Sequence, residues 1–145
     1  GYDRGPGRAP DAARDASGWF DTGDLGELDA RGRLHVHARR TDLVVTGGEN
    51  VYPAEIEASL EALAGVRRAL VFGVPDARWG QLVAAVVEAA ADVDVAAVVA
   101  SLDAALAPHK RPRLVARVDH IALGPSGKVE RKGALERHAA GLSRR

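Results

Sequence analysis

Apolar residues along the chain recur at two different spacings, one typical of helices and the other of strands. They follow a helical period from Pro53 to Gly65, and proline suits the first turn of a helix while glycine suits its end. The continuous apolar run Leu82–Val87 is typical of a central strand. A second helical period follows Asp94, a residue that caps helices well, and it continues to Pro108. The pattern therefore predicts a mixture of strands and helices.

Shorter β-type segments fill the remaining chain. Glycine and aspartate separate two of them and predict a hairpin. A last short helix is predicted around Leu135. We expect an α+β fold, with a small two-layer domain of short strands and helices over 41–145, and an extended lead-in with its own hairpin over 1–40. The predicted short strands are Leu25–Leu28, Arg33–Ala38, Leu43–Val45, Arg67–Val74 and Leu114–Ile121.

Composition excludes several classes of protein. The 145 residues carry 20 Lys+Arg and 20 Asp+Glu, so the chain lacks the basic excess that non-specific nucleic-acid or anionic-membrane binding needs. The absence of cysteine excludes disulfide scaffolds, zinc bound through cysteine and cysteine nucleophiles. The longest apolar run is far too short to span a bilayer. We expect a soluble, cytoplasmic protein of one domain, or one domain with a stub.

Two polar motifs in the first third of the chain are candidates for ligand binding. Asp24 follows a glycine directly ahead of a strand, where a carboxylate can accept hydrogen bonds from a vicinal diol such as a ribose. Arg39 belongs to an Arg-Arg-Thr-Asp run and can present a planar fork to a phosphate or a sugar. Taken alone, the same residues also suit a turn carboxylate and an exposed ion pair.

Two glycine-containing motifs follow later in the chain. Gly47 and Gly48 precede Glu49 and the predicted helix, and paired glycines permit positive φ and close approach of a ligand or another chain. Lys128 ends a Pro-Ser-Gly-Lys turn that lacks the full phosphate-loop pattern of nucleotide-binding proteins. A strand-to-helix turn and a solvated surface lysine are the simpler interpretations of these residues.

The order and spacing of the four motifs resemble the C-terminal third of adenylate-forming enzymes, the superfamily of acyl-CoA synthetases and peptide-synthetase adenylation domains. The motifs lie at Gly18–Asp24, Arg39–Asp42, Gly47–Glu57 and Pro125–Lys128, and the resemblance covers residues 18 to about 138. The Gly-Gly-Glu-Asn-Val-Tyr-Pro-Ala-Glu segment is typical of acid–CoA ligases. Together with Arg-Arg-Thr-Asp-Leu, it most resembles o-succinylbenzoate–CoA ligases and related fatty or aromatic acid–CoA ligases.

The resemblance implies a two-step reaction and a role for each motif. ATP and a carboxylic acid first give an acyl-adenylate and pyrophosphate. In this step Asp24 would hold the ribose hydroxyls, and Arg39 would contact the ribose or phosphate region. Lys128 would be the catalytic residue, bridging the acid's carboxylate and the α-phosphate. The domain would then rotate, and CoA thiol would attack the adenylate.

The second step involves a different set of residues. Gly47, Gly48 and Glu49 would line the pantetheine tunnel, and Thr41 would be the hinge of a mobile lid. ATP, CoA and Mg²⁺ are the implied cofactors, with Mg²⁺ bound mainly upstream, and no metal ligand is expected in this chain. The implied partners are a small carboxylic acid and the large N-terminal domain of the same enzyme. Residues 1–40 would be the C-terminal end of that large domain, and residues 41–145 would be the mobile lid.

The chain departs from the family pattern at two places. Thr41 stands where Asp or Lys is common, and Ala122-Leu123-Gly124 replaces the commoner Pro-Arg-Thr ahead of Pro125. We expect the phosphate loop, the adenine pocket and the acid pocket to lie upstream of residue 1, and the fragment alone to be inactive. Two alternatives remain open, the lid of a peptide-synthetase-type adenylation domain and a non-catalytic binding module that retains the fold.

Overall fold

The computed structural model describes residues 15–125 and 127–145. The chain divides into two compact units, the first ending at Arg40 and the second spanning Thr41–Arg145. Most of the predicted N-terminal loop, and Ser126 of the Pro-Ser-Gly-Lys motif, lie outside the described residues. Within the described part of the chain, no helix has the length and apolar character needed to cross a bilayer.

The first unit contains the predicted hairpin. Strand β1 (Asp24–Leu28) pairs antiparallel with β2 (Leu34–Arg39), which confirms both strands to within a residue. The Asp29 carboxylate closes the turn by accepting the backbone N–H groups of Arg33 and Arg31, each at 2.9 Å. The backbone and side-chain hydrogen bonds from Arg33 lower the pKa of Asp29 to about 2.

The second unit is built on one mixed sheet. Strand β6 is its centre, since it pairs antiparallel with β3 and β5 and parallel with β7. Strand β4 extends the sheet beyond β3 and strand β8 extends it beyond β7, whereas β5 pairs, among the described strands, with β6 alone. Strand β6 has a parallel neighbour and is buried on both faces of the sheet, and this explains why its sequence is an uninterrupted apolar run. The strands are β3 (Val44–Thr46), β4 (Glu49–Val51), β5 (Val66–Asp76), β6 (Gly80–Ala89), β7 (Leu114–Val118) and β8 (Ser143–Arg144).

Alternate residues of the sheet point to opposite faces and build two separate cores. Helices α1 (Pro53–Glu61) and α2 (Val95–Ala100) cover one face with Ile56, Leu60 and Val99. Helix α3 (Ala134–His138) and the segment before it cover the other face, around Leu70, Phe72 and Ile121. Strands and helices packed this way confirm the α+β class.

Several predicted bounds were wrong for local reasons. The helix predicted to run to Pro108 ends at Ala100, because the backbone then tightens into bonds three residues apart, such as Leu102 N–H to Val99 O. The strand predicted to end at Ile121 ends at Val118. Strand β5 continues through Pro75, which an edge strand tolerates because it needs no donor on its free side. Strands β4 and β8 were not predicted.

Candidate active site

Asp24 and Arg39 face each other across the hairpin of the first unit. They are register partners, and Arg39 Nε lies 3.2 Å from Asp24 Oδ1. The residues just before Asp24 hold it in a tight turn, in which its backbone N–H donates to Thr22 Oγ1 at 3.1 Å. Asp24 Oδ2 makes no hydrogen bond within the described ranges and can accept one from a hydroxyl group. The structure therefore brings together two residues that the sequence motifs place fifteen positions apart.

Thr41 is the first residue of the second unit, and its side chain is exposed. It lies in a 3₁₀ turn, Arg40–Asp42, and its hydroxyl donates to Asp42 Oδ1 at 3.2 Å. The junction between the two compact units thus falls at the residue expected to be the hinge.

Gly47 and Gly48 form the two-residue turn between β3 and β4, which we call the glycine turn. Their φ values of +60° and +86° are those of a type I′ hairpin, which favours glycine at both positions. A Cβ on Gly47 would lie 2.9 Å from the Trp79 ring, whereas a Cβ on Gly48 would meet open space. Glu49 follows in β4 with an exposed side chain and pairs with Thr46.

Trp79 is a site residue that the sequence analysis missed. Its backbone C=O accepts the Gly47 N–H at 2.9 Å, and its ring lies below the guanidinium groups of Arg113 and Arg78, at 4.5 and 5.3 Å. The Asp76 carboxylate fixes the turn by accepting the Trp79 and Arg78 N–H groups, and these bonds lower the pKa of Asp76. Two cations and an indole beside the glycine turn make a surface suited to a planar anion.

Lys128 closes a loop over positions 124–128, which we call the lysine loop. The loop is held at its base by a Leu123–Val129 bridge and by a 2.8 Å hydrogen bond from Gly124 N–H to Lys128 O. The Lys128 side chain is exposed, and no carboxylate of the described residues lies within 4.0 Å of its Nζ. It lines an open cleft of about 470 Å³ together with Arg67 and Arg68. The ammonium group is thus available to an incoming anion.

Glu88 anchors the chain that leads into the lysine loop. This carboxylate is only 2% exposed, yet it accepts the Ile121 N–H at 2.9 Å and lies 3.6 Å from the nearest guanidinium nitrogens of Arg67 and Arg68. The backbone hydrogen bond and the two arginines lower its pKa, against the opposing effect of burial. Glu88 therefore remains ionised in the core and fixes the base of this segment.

Arg131 is a second site residue that the sequence analysis missed. Its guanidinium donates to Asp42 Oδ2 at 2.9 Å, to both oxygens of Glu57 at 2.6–2.7 Å, and to Val71 O at 3.2 Å. Arg131 lies three residues after Lys128, and this closeness was the one signal in the sequence that it could belong to the site. Nothing in the sequence indicates that Asp42, 89 positions away, is its partner.

The glycine turn and the lysine loop lie at opposite ends of the β5–β6 hairpin. Gly47 contacts Trp79, in the turn that joins the two strands, whereas the Lys128 cleft includes Ala69, near the start of β5. From Ala69 to Asp76 the strand extends roughly 20 Å at its usual rise per residue. The second unit therefore presents two different loops at two separate places.

No described part of the chain fits a metal ion. The described residues contain no group of three or more His, Asp or Glu side chains placed to hold one. Mg²⁺ binds through several oxygen ligands in octahedral geometry, and such a set is missing there. We therefore assign no step of the chemistry to a metal held by these residues.

Comparison with known proteins gives one consistent family. Long-chain-fatty-acid–CoA ligase FadD13 of Mycobacterium tuberculosis is 40% identical over 90% of this chain and 27% of its own length. The 2-succinylbenzoate–CoA ligase of Listeria monocytogenes is 40% identical over 84% of this chain and 26% of its own. ATP-bound MatB from Rhodopseudomonas palustris superposes with a TM-score of 0.77 at 41% identity, over 87% of this chain and 25% of MatB.

This chain therefore spans about a quarter of the length of the relatives it matches. The family described as AMP-binding enzyme C-terminal domain matches residues 55–128, about half of the chain. That range includes α1 from Glu55 onward, the β5–β6 hairpin and Lys128. The chain belongs to the AMP-binding enzyme C-terminal domain family.

Proposed function

We propose that this chain is the C-terminal part of an AMP-forming acid–CoA ligase. Such an enzyme converts ATP and a carboxylic acid into an acyl-adenylate and pyrophosphate, then transfers the acyl group to CoA with release of AMP. The observation that carries the proposal is the separation of the glycine turn and the lysine loop at opposite ends of one hairpin. Because the two loops are far apart on one unit, each can serve one half-reaction in turn.

In the first half-reaction, Asp24, Arg39 and Lys128 act on the nucleotide and the acid. The Asp24 carboxylate accepts hydrogen bonds from the ribose hydroxyls, while Arg39, paired with it, lies beside the sugar or phosphate. Lys128 places its ammonium between the acid's carboxylate and the α-phosphate, where negative charge accumulates as the new bond forms. A preorganised cation at that point stabilises the transition state more than the ground state.

In the second half-reaction, the glycine turn serves as the wall of a narrow channel for the pantetheine arm. Open space above Gly48, with Glu49 beside it, leaves room for a ligand to pass close to the backbone. The adjacent Trp79, Arg113 and Arg78 cluster suits the phosphates of CoA, since guanidinium groups bind phosphates and the indole holds both guanidinium groups beside the turn. Rotation about Thr41 exchanges one loop for the other.

The large domain of the same enzyme supplies the remaining parts of the active site. The large AMP-binding domain, whose C-terminal end we take to be residues 1–40, supplies the phosphate, adenine and acid pockets. Its upstream part covers the exposed apolar side chains of the hairpin, Leu28, Leu34 and Val36. Mg²⁺ would bind with the phosphates of ATP on that domain and would neutralise part of their charge. ATP and CoA are both supplied in the cytoplasm, where we expect the enzyme to act. Similarity to fatty-acid and succinylbenzoate ligases makes both acid classes the first candidates for the substrate.

The experiment compares this chain alone with the full-length protein that contains it. The full-length protein should catalyse acid-dependent exchange between ATP and pyrophosphate and should form acyl-CoA, with a panel of fatty, aromatic and dicarboxylic acids as probes. The 145-residue chain alone should catalyse neither reaction. Exchange without acyl-CoA formation would favour a carrier-protein acceptor, and the absence of both from the full-length protein would reject the proposal.

A further inference from the structure

We propose that Arg131 is a positioning residue that fixes the lysine loop relative to the residue following the hinge, and so sets the placement of Lys128 during adenylate formation. This inference rests on the proposed function, because it concerns how Lys128 reaches its working position. Arg131 itself contacts neither ATP nor the acid in this role.

The contacts of Arg131 join three elements at one point. Its Nη1 donates to Asp42, the residue directly after Thr41, and its Nη2 donates to both carboxylate oxygens of Glu57 in α1. Its Nε donates to Val71 O on the free edge of β5. A guanidinium fork is rigid and planar, so three simultaneous contacts determine both its position and its orientation. The three charged side chains are only partly exposed, at 22% for Arg131, 29% for Asp42 and 13% for Glu57.

Arg131 also separates two clefts. One cleft, of about 480 Å³, includes Thr41 and Asp42 in its lining; the other, which Lys128 lines, includes Glu57. Arg131 lines both clefts, so its side chain forms a shared wall. A displacement of the turn at Thr41 moves Asp42 and therefore moves the Arg131 guanidinium that is bonded to it. Because Arg131 lies only three residues after Lys128, such a movement also changes the position of the lysine loop.

A purely structural role would involve a different part of the same network. The Val71 N–H donates to Glu57 Oε1 at 2.8 Å, so Glu57 and Arg131 together satisfy the free edge of β5. That cover does not need Asp42. Replacing Asp42 by asparagine therefore removes the charged link to the hinge segment and leaves the edge of the sheet covered.

The test measures both half-reactions in the full-length protein for Asp42→Asn, Arg131→Lys and Asp42→Glu. The matched control is Asp103→Asn, since Asp103 also receives a partly buried arginine, Arg145, at 2.7 Å, and neither residue lines the Lys128 cleft. We expect Asp42→Asn and Arg131→Lys to slow acid-dependent pyrophosphate exchange about tenfold, with kcat affected more than KM. Asp42→Glu keeps the negative charge and should slow the exchange less than Asp42→Asn does. Asp103→Asn should change the exchange rate less than twofold.

Thioester formation from a supplied acyl-adenylate should stay within about twofold of wild type in all these variants, because Lys128 is not used there. Amide hydrogen exchange provides a reading independent of activity: Gly127 and Lys128 should exchange faster in Asp42→Asn than in Asp103→Asn. Equal slowing of both half-reactions, or unchanged pyrophosphate exchange, would overturn the positioning role while Lys128→Ala still supports the ligase. A full-length protein without acid-dependent exchange would reject the ligase proposal and this inference with it.

Discussion

The glycine turn and the lysine loop are both short, glycine-containing connections, but they are fixed to the second unit in different ways. The glycine turn lies inside a β-ladder, with Thr46 paired to Glu49 at its base and the Trp79 ring against Gly47. Among the described residues, the lysine loop is held by the Leu123–Val129 bridge and by three backbone hydrogen bonds, from Gly124 N–H to Lys128 O, Gly127 N–H to Gly124 O and Glu130 N–H to Ala122 O. The backbone of the glycine turn is therefore fixed by packing, whereas the lysine loop presents an exposed charge and is fixed by few contacts of its own.

This difference matches what each half-reaction of the proposed ligase would require. A channel wall has to keep its shape, and a turn enclosed by strands and an indole deforms little. A catalytic cation has to approach an anion and withdraw, and an ammonium on a flexible four-carbon stem suits that task. The contacts of Glu88 and Arg131 supply the lysine loop with the order that its own short base does not provide.

The largest expected effect comes from removing the cation of the lysine loop. Lys128→Ala should slow adenylate formation a few hundredfold, since deleting one preorganised charge contact costs about 3–4 kcal/mol in the transition state. Thioester formation from a supplied acyl-adenylate should be nearly unchanged. The matched control is Lys132→Ala, an exposed lysine four residues further on. Equal slowing of the two half-reactions would end the assignment of one loop to each step.

The converse effect is expected at the glycine turn. Gly48→Leu should slow thioester formation about tenfold or more by narrowing the channel, while pyrophosphate exchange stays mostly intact. Gly32→Leu is the control, because Gly32 also has a positive φ and open space but lies in the β1–β2 turn. Both variants carry the same backbone strain, about 1–2 kcal/mol. A similar loss of thioester formation in the two would show that strain, and not the channel, was responsible.

Glu88→Gln tests the anchor below the lysine loop through stability and pH. The free energy of unfolding should fall by about 1–3 kcal/mol, because a buried charge-assisted hydrogen bond is weakened. The folded pKa of Glu88 is below its ordinary 4.5, so its contribution is complete above that pH and is lost as the pH falls through the folded value. Urea melts from pH 7 to pH 3 should show a smaller acid destabilisation in Glu88→Gln. Parallel curves for the two proteins would contradict this role.

The smallest effect is expected beside the glycine turn, at the cationic cluster over Trp79. Arg113→Gln should raise KM for CoA about fivefold and leave KM for ATP unchanged, since one partly exposed charge contributes about 1 kcal/mol. Arg117→Gln is the control, as Arg117 lies on β7, the strand that Arg113 directly precedes, but pairs with Asp119. An equal rise in KM for CoA in both variants would indicate general charge loss and not a specific contact.

The two loops also show which features could be predicted from the sequence. Gly47 and Gly48 were found because a type I′ turn depends on local conformation, which residue type controls directly. Lys128 was chosen from its motif, and its catalytic role stays a prediction, although the family match extends to this residue. The helix beyond Ala100 was predicted too long, because buried Leu102 and Leu106 continue the apolar spacing although the backbone has already left the helix.

The sequence by itself determined the α+β class, the hairpin from Asp24 to Arg39, the buried central strand and the family. Each of these depends on short-range conformational preference, on apolar spacing or on motif order. Only the tertiary structure decided the partners of Arg131, the placement of Trp79 against Gly47 and the burial of an ionised Glu88. Those contacts join residues about 30 to 90 positions apart, and they form because the sheet brings distant segments together while a buried charge must find compensating groups wherever the fold supplies them.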